Sequence, residues 1–144
     1  MPMFEALWPR KSITVGLDLA SVQDVAESIA THGGNYLDRV YTPEEVEDAR
    51  MSGPLAEGLA ARFAAKEATI KALRPESGTT DWREIRVVRS PGGACDIELS
   101  GSVAVLARMR GVRSLAVSLT HEADVAAAVV VAHCRAPWRH SQRK

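Results

Sequence analysis

The chain has 144 residues and a mass of 15.5 kDa, is 46% apolar and 5% aromatic, and balances 18 lysines and arginines against 18 acidic side chains. A chain of this size buries roughly 68–70% of the surface its unfolded form exposes, so one domain with a full hydrophobic core is expected and bulk disorder is excluded. The neutral balance gives no wholesale attraction to nucleic acid or membrane, and no run reaches the ~20 apolar residues of a spanning helix. The stretch from Met1 to Ser12 lacks the apolar segment of a secretion signal, which predicts a cytoplasmic protein. Two cysteines, Cys95 and Cys134, are too few for a disulfide framework, and neither stands at a zinc-site spacing. Cys95 reads as a strand residue and Cys134 as part of the tail.

In chain order, Ile13, Val15, Leu17 and Leu19 alternate with Ser12, Thr14, Gly16 and Asp18, the period of a half-buried strand. Ser21, with Asp24 three positions on, predicts an N-cap and a helix through Thr31 that stops at Gly33-Gly34. A short helical piece over Asn35 to Tyr41 follows. Thr42 then caps a helix with Pro43 at its first position and Glu44 and Glu45 near the positive end of the helix dipole. Leu55 to Leu73 is the longest helical pattern, closed by Pro75. Asp81 to Arg89 and Ala94 to Leu99 read as a hairpin about Pro91-Gly92-Gly93, and Ser100 to Arg110 as a helix with Gly111 behind it. Strands over Arg113 to Thr120 and Val125 to Ala132 complete the chain, joined by a tight turn of His121-Glu122-Ala123-Asp124. Hairpins with separate helices predict an α+β fold rather than a doubly wound parallel sheet.

The long helix is the most informative stretch. At about 100° per residue, Leu55, Leu59, Phe63, Ile70 and Leu73 share one stripe, with Lys66 in its middle and Arg62 at its margin. Glu67 and Lys71 lie side by side beyond the other edge, and the remaining face is alanine at 60, 61, 64, 65, 68 and 72. Small residues all round mean that neighbours cover most of the helix, so its charges need partners. One arrangement is local: Glu67 and Lys71 stand i,i+4 in the favourable orientation and Lys66 extends along its own stem. The other is a crevice in which three cations and one carboxylate meet an anionic, metal-bound ligand. Asp18 ends the first strand on the same face as Gly16, where a missing side chain admits a ligand or another backbone. Asp18 and Glu67 together suit magnesium, commonly held by one or two carboxylates plus substrate phosphates and waters. Among the histidines, His121 stands beside Thr120 at the last hairpin, and His32, His133 and His140 carry no signal beyond solvation.

Three stretches together resemble the holo-acyl-carrier-protein synthase family of 4′-phosphopantetheinyl transferases, small homotrimeric type: Val15-Gly-Leu-Asp-Leu19, the block from Ala61 to Leu73 containing Arg-Phe-Ala-Ala-Lys-Glu, and Val117-Ser-Leu-Thr-His-Glu122. Tyr36 to Glu45 is a weaker fourth match. The resemblance spans about residues 12–132, leaving an N-terminal extension over 1–11 and a basic tail over 133–144 with Arg135, Arg139, His140, Arg143 and Lys144.

The resemblance implies the α+β fold of that family, an antiparallel sheet packed with a long central helix and smaller helices. It implies transfer of the phosphopantetheine arm of coenzyme A to a serine of an apo acyl carrier protein in lipid or polyketide assembly, releasing adenosine 3′,5′-bisphosphate. It places magnesium, or manganese in its stead, on Asp18 and Glu67, and Lys71 on the pyrophosphate. Arg62, Lys66 and His121 are left to phosphate binding or site organisation, His121 towards the adenosine 3′-phosphate. It further implies a homotrimer with sites between subunits, while the neutral charge balance predicts no nucleic-acid or membrane partner. Glu67, directly or through a metal-bound water, is the candidate base, with Asp18 and Lys71 completing the catalytic set. Two alternatives remain open: a non-catalytic carrier-binding member of the fold, and a magnesium-dependent phosphohydrolase of coenzyme A. Where many members have an acidic and then a basic residue after the first Asp, this chain has Ser21 and Asp24, which puts the carrier preference in question.

Overall fold

The computed structural model describes residues 12–76 and 78–135. Strand β1 (Ser12–Ser21) leads into α1 (Val22–His32), α2 (Gly34–Val40), α3 (Pro43–Ser52) and the long α4 (Leu55–Leu73). After a 3-10 turn at Trp82–Glu84 come the hairpin β2 (Ile85–Arg89) and β3 (Cys95–Leu99), α5 (Gly101–Met109), and the long strands β4 (Val112–Glu122) and β5 (Val125–Cys134). β5 lies between β1 and β4 in an antiparallel three-stranded sheet, while β2 and β3 pair separately. This is the expected α+β architecture.

Local signals fix the helix starts. Ser21 Oγ accepts from the Asp24 amide at 3.1 Å, and Thr42 and Glu45 form a reciprocal capping box at 3.3 and 3.0 Å. Among the boundaries that differ from the sequence reading, three change how a named residue is placed. Asp81 Oδ1 accepts from the Arg83 amide at 3.0 Å and caps a turn, so the strand expected from Asp81 begins at Ile85. β4 continues through Glu122, so His121 is a strand residue opposite Ala126, and the turn is Ala123-Asp124 with Ala123 at φ +52°. Asp124 then accepts from the Gln23 amide at 2.8 Å, tying that turn to the start of α1. β5 reaches Cys134, a buried core residue and not part of a tail. The extension over 1–11 and the tail from 136 onward lie outside the described residues.

β1 is half-buried, as its alternation requires, but the buried half is the small and polar one. Thr14 and Asp18 are covered by α4, while Ile13, Val15, Leu17 and Leu19 are 52–66% exposed on the outer face of the sheet. The cause is how closely α4 approaches. Ala64, Ala65, Ala68 and Ala72 are fully or nearly fully buried against Ala128, Val130 and Ala132 of β5. Against β1 the helix backbone itself arrives: a Cβ at Gly16 would collide with the Ala68 carbonyl oxygen and stand 2.8 Å from its carbon and 2.9 Å from the Ala72 nitrogen. Thr14 Oγ1 donates to the Ala72 carbonyl at 2.8 Å in the same seam. Larger side chains on this face of β1 would hold the helix off.

Other flanks of α4 meet the remaining elements. Leu59 and Ala60 pack with Val25, Val40, Tyr41 and Ala49, and Leu73 packs with Ile85, Val103 and Ala107. The apolar row of β1 continues across Val129 and Val131 of β5, its register partners through Leu17 and Val15, and this face is uncovered by any described element.

Because the obstruction at Gly16 is backbone, Gly16→Ala cannot be absorbed by a rotamer change. Urea denaturation is expected to show a loss of about 3 kcal/mol or more, whereas a loss below about 1 kcal/mol would mean that the seam is loose.

Candidate active site

The β1–α4 seam sets three of the sequence-selected residues side by side. Lys71 Nζ donates to Asp18 Oδ1 at 2.8 Å and to the Leu17 carbonyl at 3.0 Å. Asp18 is nearly buried and its Oδ2 has no partner, whereas the Lys71 side chain is 55% exposed and keeps a third N–H available. Lys71 therefore pairs across the fold with Asp18 rather than only along its own helix with Glu67. Burial, then the apposed Asp18 carboxylate, raise the Glu67 carboxyl above the usual carboxylate range, with Lys71 opposing them. The bond to Asp18 raises the Lys71 ammonium above its ordinary value. Two apposed carboxylates, one with a buried orphan oxygen, form a hard-oxygen donor set that a small divalent cation would relieve.

Lys66, one residue away, faces elsewhere. It is fully buried, and its ammonium donates to Glu45 Oε1 at 2.7 Å, the Trp82 carbonyl at 2.8 Å and the Ile85 carbonyl at 2.6 Å. All three donors are filled, so of the two roles the resemblance leaves it, site organisation is the one its geometry allows. Burial pulls its pKa down, and Glu45 opposes this by charge and hydrogen bond. Glu45 is equally committed: besides Lys66 and its capping box, its Oε2 accepts from the Val87 amide at 3.2 Å. This one ion pair joins the start of α3, the middle of α4 and β2, and it fixes the rotation of α4 that points Glu67 at β1.

Arg62 and His121 form a second cluster. They line a cleft of about 310 Å³ with Glu57, Gly58, Arg89, Cys95, Leu119 and others. Arg62 is 3% exposed; its Nη1 donates to the Gly58 carbonyl at 3.0 Å and its Nε is buried without a partner. Burial, then the neighbouring Arg89 charge, lower the affinity of Arg62 for its proton. His121 Nδ1 lies 3.9 Å from Glu57 Oε2 at the rim.

The two clusters do not meet within one chain. Asp18 is on β1 and His121 on β4, the two outer strands, about 10 Å apart in the sheet. Arg62 and Glu67 diverge by about 140° around α4. The sequence reading missed Arg89, Glu57 and Cys95 as cleft residues. A strand-end arginine gives no signal of its own, since its place beside α4 depends on how the β2–β3 hairpin docks.

A family model described as the 4′-phosphopantetheinyl transferase superfamily matches residues 14–130. A holo-[acyl-carrier-protein] synthase of Desulforudis audaxviator is 38% identical over 118 residues, covering 82% of this chain and 90% of that protein. One of Beutenbergia cavernae is 41% identical over 122 residues, covering 83% and 97%. The crystal structure of the Helicobacter pylori holo-[acyl-carrier-protein] synthase in complex with coenzyme A matches with a TM-score of 0.72 at 28% identity, over 82% of this chain and 98% of that one.

If the Glu45–Lys66 pair organises the helix, removing one partner strands the other charge in the core. Lys66→Met is expected to cost about 3–5 kcal/mol in chemical denaturation, and a Glu45→Gln/Lys66→Met double variant to recover part of that loss. A loss in the double variant equal to the sum of the Lys66→Met and Glu45→Gln losses would deny the coupling.

Proposed function

The chain belongs to the 4′-phosphopantetheinyl transferase superfamily, and from that premise we propose that it acts as a holo-[acyl-carrier-protein] synthase. It transfers the 4′-phosphopantetheine arm of coenzyme A to a serine hydroxyl of an apo acyl carrier protein and releases adenosine 3′,5′-bisphosphate. The observation that carries this reading is the convergence of Asp18, Glu67 and Lys71 at the β1–α4 seam.

Displacement at a pyrophosphate phosphorus asks the protein mainly for position and charge neutralisation. Asp18 and Glu67 would hold magnesium, and the orphaned Asp18 Oδ2 beside the raised Glu67 carboxyl supports that fit. When bound, the ion supplies positive charge to the phosphate oxygens. Lys71, anchored by Asp18 and the Leu17 carbonyl, directs its remaining N–H outward to a pyrophosphate oxygen and stabilises charge on the leaving side. Glu67 is the acceptor of the serine proton, through a water rather than directly, because a cation on this carboxylate would lower its basicity.

Arg62 and His121 take the phosphate of the adenosine end. Their separation from the seam supports a site completed by a second copy of the chain, with Asp18, Glu67 and Lys71 from one subunit and the cleft from its neighbour. The uncovered row of Ile13, Val15, Leu17 and Leu19 supports a homotrimer built on this sheet face.

Incubation with coenzyme A, magnesium and apo acyl carrier protein is expected to add a phosphopantetheinyl mass to the carrier. Release of free phosphopantetheine would point to hydrolysis, and an unmodified carrier would refute transfer. Glu67→Gln is expected to lower transfer by at least about 10²-fold with no loss of melting temperature; wild-type turnover would remove Glu67 from the mechanism. In analytical ultracentrifugation the protein should sediment as a trimer and Val15→Glu as a monomer without transfer activity. A fully active monomer would contradict the shared site.

A further inference from the structure

The cleft holds a second guanidinium besides that of Arg62. Arg89, the last residue of β2, lines it opposite its register partner Cys95, which lines it too. The hairpin beyond is closed by the Ser90 amide on the Ala94 carbonyl at 2.8 Å and the Gly93 amide on the Ser90 carbonyl at 2.9 Å, so the base of the Arg89 side chain is held by a formed turn.

Arg89 is exposed, and no hydrogen bond or ion pair engages it among the described residues. Arg62 lies at the buried floor with an unpartnered Nε. The cleft lining contains one carboxylate, Glu57, and it stands beside His121 at the rim. Two guanidiniums thus share a recess with no carboxylate among its lining residues but Glu57, and the Arg89 charge is felt at Arg62 against the opposing pull of Cys95, Glu45 and Asp48 behind it. A buried cation with an orphan donor is costly unless an anion completes it.

The charge of that anion can be specified. A terminal phosphate monoester has a second ionisation near pH 6 and carries close to two negative charges at neutral pH, with three acceptor oxygens for forked donors. Each phosphorus of an internal diphosphate carries one. Coenzyme A contains a single phosphate monoester, on the ribose 3′-oxygen. We propose that Arg89 is a specificity-determining residue that makes the reaction depend on this 3′-phosphate, closing on it from the rim while Arg62 meets it from the floor. The inference rests on the reading of the protein as a coenzyme A-dependent transferase.

The test compares coenzyme A with 3′-dephospho-coenzyme A in steady-state transfer by wild type, Arg89→Gln and Arg89→Lys. Wild type is expected to prefer coenzyme A. Arg89→Gln should raise KM for coenzyme A about tenfold or more, leave kcat nearly unchanged and leave the dephospho substrate within about twofold. Arg89→Lys should restore part of the preference. An unchanged KM for coenzyme A, an equal rise for both substrates, or a wild type indifferent to the 3′-phosphate would overturn the assignment. Calorimetry with adenosine 3′,5′-bisphosphate and adenosine 5′-monophosphate separates this from failure of the transferase reading. Tighter binding of the bisphosphate that Arg89→Gln abolishes would support the receptor even without transfer, and equal binding of both nucleotides would refute it.

Discussion

The meeting of Asp18, Glu67 and Lys71 depends on two backbones approaching more closely than side chains ordinarily permit. β1 offers Gly16 and α4 offers Ala68 and Ala72, and with no bulk between them the Ala68 carbonyl reaches the position that a Cβ on Gly16 would occupy. That approach brings Asp18, two residues along the same face, within 2.8 Å of Lys71 and against Glu67. On the opposite side of the helix, the buried Lys66–Glu45 pair and its carbonyl and amide partners resist rotation about the helix axis. The seam sets the distance and the ion pair sets the angle. Adjacent residues of one sequence block therefore face opposite ways, Lys66 into the core and Glu67 towards Asp18 at the seam.

The electrostatic logic follows from that placement. Two carboxylates and one ammonium leave Asp18 with an unanswered oxygen and Glu67 with an elevated proton affinity, an arrangement that favours additional positive charge. The cleft at Arg62 and Arg89 has the complementary need, two guanidiniums awaiting an anion. A molecule with a metal-bound diphosphate at one place and a phosphate monoester at another satisfies both. In the proposed assembly, the apolar outer row of β1 is the face on which a second copy of the chain would bring its cleft to this seam.

Much of the fold was legible because it is written locally. Ser21 with Asp24 and Thr42 with Glu45 signalled helix starts through short-range hydrogen bonds, and alternation and alanine spacing gave the strands and the long helix. The motif resemblance selected Asp18, Glu67 and Lys71. What failed was partnership at long range. The i,i+4 spacing offered Glu67 to Lys71, but the stronger acceptor came from 53 positions away in the sequence. Lys66 reads as a site cation because the helix dipole already accounts for Glu45, its partner 21 residues away. The buried face of β1 ran against hydrophobicity because its apolar row is left to another surface. His121 was read as a turn residue because nothing in the residue type of Ala123 announces a left-handed conformation.

The most direct test is a crystal grown with coenzyme A and manganese, examined by anomalous scattering at the manganese edge. The account predicts one strong peak bridging a carboxylate oxygen of Asp18, one of Glu67 and the diphosphate of the cofactor. Asp18 and Glu67 turned away from each other around a bound cofactor, with no anomalous peak between them, would contradict it.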